Sequence, residues 1–206
     1  MELKFDIFIP NKNKQYSISD ILGIVAMILA ILLLILNHYF KIPESVNQPF
    51  AGILFSIMIY YFARAVVVRG KIQPLKGELK GQLKFNHTEI FINDQKIDLR
   101  EINKVEFIFG NYYSEFKSRQ PIFDPHSENG TSNWVTLCFN NKENQTIQFQ
   151  RMYDGQEKYL KPLLEYLHFK DKISFLRLTE ILGMNKYEEI QDYKLELKRR
   201  VATIES

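Results

Sequence analysis

The sequence predicts a membrane helical hairpin joined to an α+β cytoplasmic domain, in which a curled antiparallel sheet is closed by a helix and followed by extra C-terminal helices. Three observations predict it. Residues 21–40 and 50–63 form two uncharged apolar runs split by one short polar stretch. Beyond them, segments that alternate apolar and polar residues come first, and segments with helical spacing come afterwards. Cations crowd the outer flanks of the apolar pair and almost vanish between its members.

The N-terminal segment, residues 1–17, is expected in the cytoplasm. Leu3, Phe5, Ile7 and Ile9 alternate with Lys4, Asp6 and Phe8 ahead of Pro10, which reads either as a strand covering an open sheet edge or as a frayed terminus. Residues 18–40 are the first expected span. The dozen Leu, Ile and Val residues from Ile21 to Leu36 each favour insertion by about 0.3–0.6 kcal/mol, several kcal/mol together. Residues 41–49, with Pro43, Glu44, Ser45, Asn47 and Pro49, read as a tight external loop, short enough to make its flanking helices antiparallel neighbours. Residues 50–69 are the second expected span. It includes Arg64, which can snorkel its guanidinium to the headgroups, and Tyr60 and Tyr61 near the same boundary.

Cation placement orients the pair. Lys4, Lys12 and Lys14 precede it, Arg64, Arg69, Lys71, Lys76 and Lys80 close or follow it, and the connecting loop holds only Lys41. The positive-inside rule puts both termini and the polar remainder in the cytoplasm, with the hairpin in the cell (inner) membrane. A cleavable signal peptide does not fit, because the first run is too long, no small-x-small site follows it and a second span comes directly after. The single cysteine, Cys138, rules out an intrachain disulfide and suits a reducing compartment. The Asn-x-Thr sequons at Asn86, Asn129 and Asn144 would matter only in a secretory lumen. A net charge of +3 is too small to point to nucleic acid by itself.

In the polar remainder, residues 78–85 read as a half-buried strand, with Leu79, Leu83 and Phe85 against Lys80, Gln82 and Lys84. A short strand at 88–92 turns through Asn93-Asp94 into 96–99, and residues 102–113 read as one longer strand. Residues 134–139 and 146–150 form a hairpin around residues 140–144. Strands in unbroken succession suggest an antiparallel meander. A helix follows, with Asp154 and Glu157 spaced as a capping box and Leu160, Leu163, Leu164 and Leu167 at helical intervals. Pro162 makes it either begin near that residue or bend there. Residues 174–184 and 187–201 are two further amphipathic stretches split by Gly183 and Asn185. Ile190, Leu197 and Ile204 recur every seventh residue in the last, a stripe that can pack on the sheet domain or pair with a second copy.

Residues 96–109 (KIDLREINKVEFIF) give a short strand, the turn Arg100-Glu101 and a long strand; residues 134–167 give a hairpin and then the leucine-rich helix. On these segments the chain resembles the bacterial two-span membrane proteins that carry a pleckstrin-homology-like (PH-like) cytoplasmic domain. The resemblance covers residues 75–168 and is one of pattern. The helices of 172–206 and the loop 114–133 lie outside it. It implies a binding or scaffolding module. Many eukaryotic relatives hold phosphoinositides on a basic loop between the first two strands; here Asn86-His87 is too short and too weakly basic for that property.

Function then rests on surfaces. The cations Arg64, Arg69, Lys71, Lys76, Lys80 and Lys84 are candidates for lipid-headgroup contact, and the same charges serve as the topology signal. The loop at 116–133, with Arg119, Phe123 and Asp124, is the candidate partner-binding element, since long loops on rigid sheets often carry binding. Asp124, His126 and Glu128 have donor chemistry for a metal but no second cluster completes a site. His168 suits its helix terminus, Cys138 suits packing, and no phosphate-cradling loop, nucleophile elbow or CxxC occurs. No cofactor or metal is expected, and the chain reads as a non-enzyme that binds a protein partner or headgroups, or associates with itself through the C-terminal helices. The alternative is a membrane-tethered DNA-binding regulator using the 174–201 helix pair. Glu188 and Glu189 at the start of its reading helix would repel phosphate.

Overall fold

A computed structural model describes residues 2–11, 18–40, 44–118, 125–140 and 142–205. In chain order its first elements are β1 (Leu3–Pro10), α1 (Ile18–Phe40), α2 (Glu44–Arg69), β2 (Gly77–Phe85), β3 (Ile90–Ile92), β4 (Gln95–Ile97) and β5 (Ile102–Phe109). They are followed by β6 (Tyr113–Phe116), β7 (Ser127–Asn129), β8 (Asn133–Phe139), β9 (Gln145–Phe149), α3 (Lys161–Phe169), α4 (Phe175–Ile181) and α5 (Tyr187–Glu205). The protein is α+β and divides into two units. The first comprises Met1–Pro10, Leu75–Glu115 and Glu128–Ser206, the second Asn11–Pro74 and Phe116–Ser127.

The first unit is built on a seven-stranded antiparallel sheet ordered β4-β3-β2-β1-β9-β8-β5. The N-terminal strand was expected to cover an edge; it lies in the middle instead. Its two ends pair with β2, from Leu3 opposite Phe85 to Pro10 opposite Gly77. Between Asp6 and Phe8 the register shifts, and there Ile7 pairs with Phe149 while the Gln150 amide donates to the Asp6 carbonyl at 2.9 Å. A bulge increases local twist, which lets one strand serve two differently directed partners. Alternation alone does not separate an edge strand from an interior one, because both have a period of two.

Pro10 has no amide proton to extend the ladder, and β1 ends there. Opposite it, a Cβ on Gly77 would stand 2.1 Å from the Ile9 carbonyl oxygen and 2.8 Å from the Phe8 ring, so only glycine fits. Residues 11–76 are therefore an insertion that leaves and rejoins the sheet at two paired positions. The β3–β4 turn has Asn93 and Asp94 at φ of 50° and 66°, the left-handed pair that Asn and Asp tolerate in tight hairpins. The two outer edges are managed: β4 is three residues long, and on β5 the Val105 amide donates to the Lys172 carbonyl at 2.9 Å while the Arg177 guanidinium caps the Phe107 carbonyl.

The core joins Phe5, Leu83, Phe85, Phe107, Leu137 and Phe149 from the strands to Leu160, Leu163, Leu164 and Leu167 from the helical side. The Phe5 ring meets Phe149 at 4.8 Å and Phe85 at 5.8 Å between centroids. Of the two readings of Pro162, the structure takes the first: Gly155, at φ 73°, opens a 3-10 turn over Gln156–Leu160, and α3 starts with Pro162 in its first turn. The capping box does not form. Glu157 and Asp154 instead face Arg151, at 2.8 Å and 3.7 Å. The strand expected over 102–113 stops at Phe109, because a Cβ on Gly110 would lie 2.3 Å from the Ser132 carbonyl oxygen and the chain turns aside there. Ser174 caps α4 by accepting from the Arg177 amide at 3.2 Å, and Gly183 at φ 73° lies beyond that helix. In α5, Tyr193 and Leu197 join the core of their own unit, which uses part of the stripe that was available for a second copy.

In the second unit, α2 begins at Glu44, so residues 44–49 are helical and not loop as expected; residues 41–43 lie outside the described residues. A carboxylate residue suits a helix N-terminus, and Pro49 inside α2 forfeits one hydrogen bond without ending the helix. Gly23 of α1 lies against the Tyr61 ring of α2, where a Cβ would be 3.1 Å from Cε1. Two spans were expected; among the described residues one segment, Ala51–Arg69, is long and apolar enough to cross a membrane, with a mean hydropathy of 1.9. Gly23–Asn37 is apolar but shorter.

A central β1 makes residues 3–10 indispensable. Phe5→Ala should lower stability by about 3–5 kcal/mol in denaturant titrations of the purified protein, and Gly77→Ala should destabilise while Gly70→Ala, whose Cβ position is open, does not.

Candidate functional site

The six candidate cations are divided between the units. Arg64, Arg69 and Lys71 belong to the second, with Arg64 half-buried on α2 and the other two exposed; Lys76, Lys80 and Lys84 belong to the first. Within the first unit, register explains their different fates. Lys4 faces Lys84 across β1–β2, Lys84 faces Phe91, and Phe91 faces Lys96, so one row crosses four strands. Each lysine in that row has a carboxylate partner: Glu2 at 3.1 Å for Lys4, Asp94 for Lys84 and Glu89 for Lys96. The hydrogen bond to Asp94 raises the Lys84 pKa, and the same bond lowers that of Asp94. This face is a neutralised ladder. Lys76, by contrast, immediately precedes β2 and Lys80 lies in its first half, both exposed and without an ion pair among the described residues.

The candidate loop presents a different picture from the one its length suggested. Arg119, Phe123 and Asp124 lie outside the described residues. What is described is how the loop is held at both limbs. In the first unit its root is a buried amide network. Asn111 donates to Glu128 at 2.7 Å and accepts from the Ser132 amide at 2.9 Å. Asn133 accepts from Gly110 at 3.1 Å and donates to the Gly130 carbonyl at 2.7 Å, and Gln150 donates to the Asn129 carbonyl at 2.7 Å. Gly130 sits at φ 74°, where a Cβ would meet the Arg151 carbonyl oxygen at 2.3 Å. Buried amides with partners on both oxygen and nitrogen fix one geometry.

In the second unit the returning limb lies against the end of α2. The Lys117 amide donates to the His126 carbonyl at 2.8 Å, and the Gln73 amide donates to the Ser127 carbonyl at 2.7 Å. The Arg69 Nε–H donates to His126 Nε2 at 3.4 Å, and the His126 ring stacks on Phe116 at 5.5 Å. An accepting Nε2 places the ring proton on Nδ1, which is buried without an acceptor among the described residues. The metal trio considered from the sequence is not assembled: Glu128 is engaged by Asn111, Asp124 is outside the described residues, and among the described residues no group of three His, Cys, Asp or Glu is placed to hold an ion. Sequence reasoning missed the network. Its signals were the turn-forming clusters Gly110-Asn111 and Asn129-Gly130-Thr131.

The C-terminal helices carry acid where a nucleic-acid reader needs base. Glu188, Glu189, Asp192 and Glu196 line one groove with Lys161 and Lys186. Glu165, buried on α3, accepts from the Tyr193 hydroxyl at 2.7 Å and from Arg200 at 2.9 Å, which fastens α5 down. Burial, and then this carboxylate, push the Tyr193 phenol well above its usual range. Arg200 also bonds Glu196 at 2.7 Å, so part of the basic face of α5 is already neutralised. No protein-family model, curated protein or solved structure matches the chain.

Gly130→Ala should destabilise the root by about 1–3 kcal/mol and speed amide exchange across 113–116 and 127–129. His126→Leu, which keeps the bulk but removes the acceptor for Arg69, should expose 116–127 to limited proteolysis while leaving the denaturation midpoint of the sheet unchanged.

Proposed function

We propose that the chain is an integral membrane protein of two spans whose PH-like sheet domain, on the cytoplasmic side, is a non-catalytic interaction module for a protein partner or for headgroups. The observation that carries this reading is where the apolar helices enter the sheet. Pro10 and Gly77 are paired neighbours in one folded sheet, and a sheet cannot be divided across a bilayer. A chain that leaves at Pro10 and rejoins at Gly77 crosses an even number of times. If Ala51–Arg69 crosses once, α1 supplies the return.

Burial supports the membrane as solvent: only 6% of the Ala51–Arg69 window is buried, with Ile53, Phe55, Met58, Phe62 and Val66 all exposed, unlike the core helix of a water-soluble protein. Cations at residues 64–80 and the single Lys41 in the connection orient the pair with both termini inside. The PH-like assignment draws support from the strand order. Setting aside the β6–β7 ribbon, seven strands form two antiparallel meanders that meet where the first strand lies beside the last, and the 3-10 turn and helix that follow together contribute four leucines to the core. On this reading the membrane hairpin is inserted between the first and second strands of the module.

The test is topological. A cysteine at Lys41→Cys should react with a membrane-impermeant maleimide in intact cells, whereas a reporter fused after Ser206 should respond only from inside, and the protein should resist alkaline carbonate. Residue 41 and the C-terminus found on the same side, or release by carbonate, defeats the reading.

A further inference from the structure

The end of the sheet from which the inserted segment departs has a surface that nothing within the first unit explains. Ile9, Leu75 and Leu79 are exposed there, at 45%, 42% and 37%. Their disposition matters more than their number. Ile9 pairs with Glu78, and Phe8 pairs with Leu79, so Ile9 and Leu79 point to opposite faces of the same two-stranded ribbon. A protein docked on one face would cover one of them and leave the other wet. Immersion of the ribbon end in a medium that surrounds it covers both.

The ends of the strands suit such immersion. The last pair is Pro10 with Gly77, so one member has no amide proton needing a partner and the other has no side chain. Lys76 and Lys80 flank the apolar residues, exposed and outside the acid-paired ladder, and lysine stems can lie along apolar surface while their ammonium groups reach anions. Glu78 is the only carboxylate between them in sequence, and Lys71 follows α2. An apolar tip rimmed by cations complements the interface of an anionic bilayer.

We propose that this ribbon end stands edge-on in the headgroup layer, with Ile9, Leu75 and Leu79 in the interfacial zone and Lys76 and Lys80 on anionic headgroups. The inference rests on the two-span reading above, because the membrane helices leave the sheet at this end. It assigns the sheet's lipid contact to residues 9 and 75–80, and removes Lys84, which Asp94 engages, from the candidates.

The experiment uses the full chain with Cys138→Ser, reconstituted into phosphatidylcholine vesicles with and without phosphatidylglycerol. Bimane is placed singly at Ile9→Cys, Leu79→Cys, Gln95→Cys and Phe55→Cys, and quenching by nitroxide lipids is read. The expected result is loss of fluorescence at residues 9 and 79 with headgroup-level nitroxide, none at residue 95, and a deeper loss when phosphatidylglycerol is present. Lys76→Glu with Lys80→Glu should abolish that added loss. Quenching at only one of residues 9 and 79, or at neither, overturns the edge-on placement. Quenching that ignores phosphatidylglycerol overturns the role of the two lysines. Failure of acyl-chain nitroxide to quench residue 55 defeats the membrane reading itself, and so is told apart from failure of this inference.

Discussion

The pairing of β1 with β2 on one flank and β9 on the other is the constraint on which the sheet depends. Without that strand, β2–β4 and β5-β8-β9 would be two short meanders, each with a long unpaired edge. With it, β2 is paired along both ends of β1, β9 is joined through Ile7 with Phe149 and through the Gln150 amide on the Asp6 carbonyl, and the Phe5 ring bridges Phe85 and Phe149 across the junction. The bulge at Ile7 is what allows one strand to fill both roles. Closing this pair means bringing together strands separated by the whole inserted segment, a slow, non-local step that the buried phenylalanines must repay.

The same pairing governs charge and surface. On the outer face of β1–β4, cross-strand neighbours put lysines in a row, and turn or flanking carboxylates answer each of them. Such exposed pairs contribute little to stability individually. Their effect is to leave that face without net pull on an anionic surface, so cationic character is kept for the opposite end of the ribbon. The described limbs of the segment between β5 and β8 are likewise held by local chemistry. Amide side chains hold its root in one unit, and Arg69, Gln73 and Phe116 hold its returning limb in the other.

Much of the architecture was legible because it is written in short-range pattern. Asn93-Asp94 announced a tight turn, Gly183 the break between two helices, and the leucines of 160–167 an inward helical face; each depends on residues within a few positions of one another. Elsewhere a local rule lost to a distant partner. Asp154 and Glu157 had the spacing of a capping box, yet Arg151 engages them. Pro49 read as a loop residue, and the helix runs through it. Asp124, His126 and Glu128 looked like one cluster, whereas His126 stacks on Phe116 and Glu128 bonds to Asn111. Candidate cations adjacent in sequence proved inequivalent for the same reason, since Lys84 meets Asp94 and Lys80 meets no such partner among the described residues.

The sequence by itself determined the α+β class, the positions of most strands and helices, and the apolar character of the inserted helices, because hydrophobic periodicity and turn chemistry act between near neighbours. Only the tertiary structure decided that residues 3–10 form the centre of the sheet, that Pro10 and Gly77 frame the insertion, and which of the candidate lysines lack a counter-charge among the described residues. These depend on register between strands far apart in the chain, and register is selected by the packing of whole faces, which no local window contains.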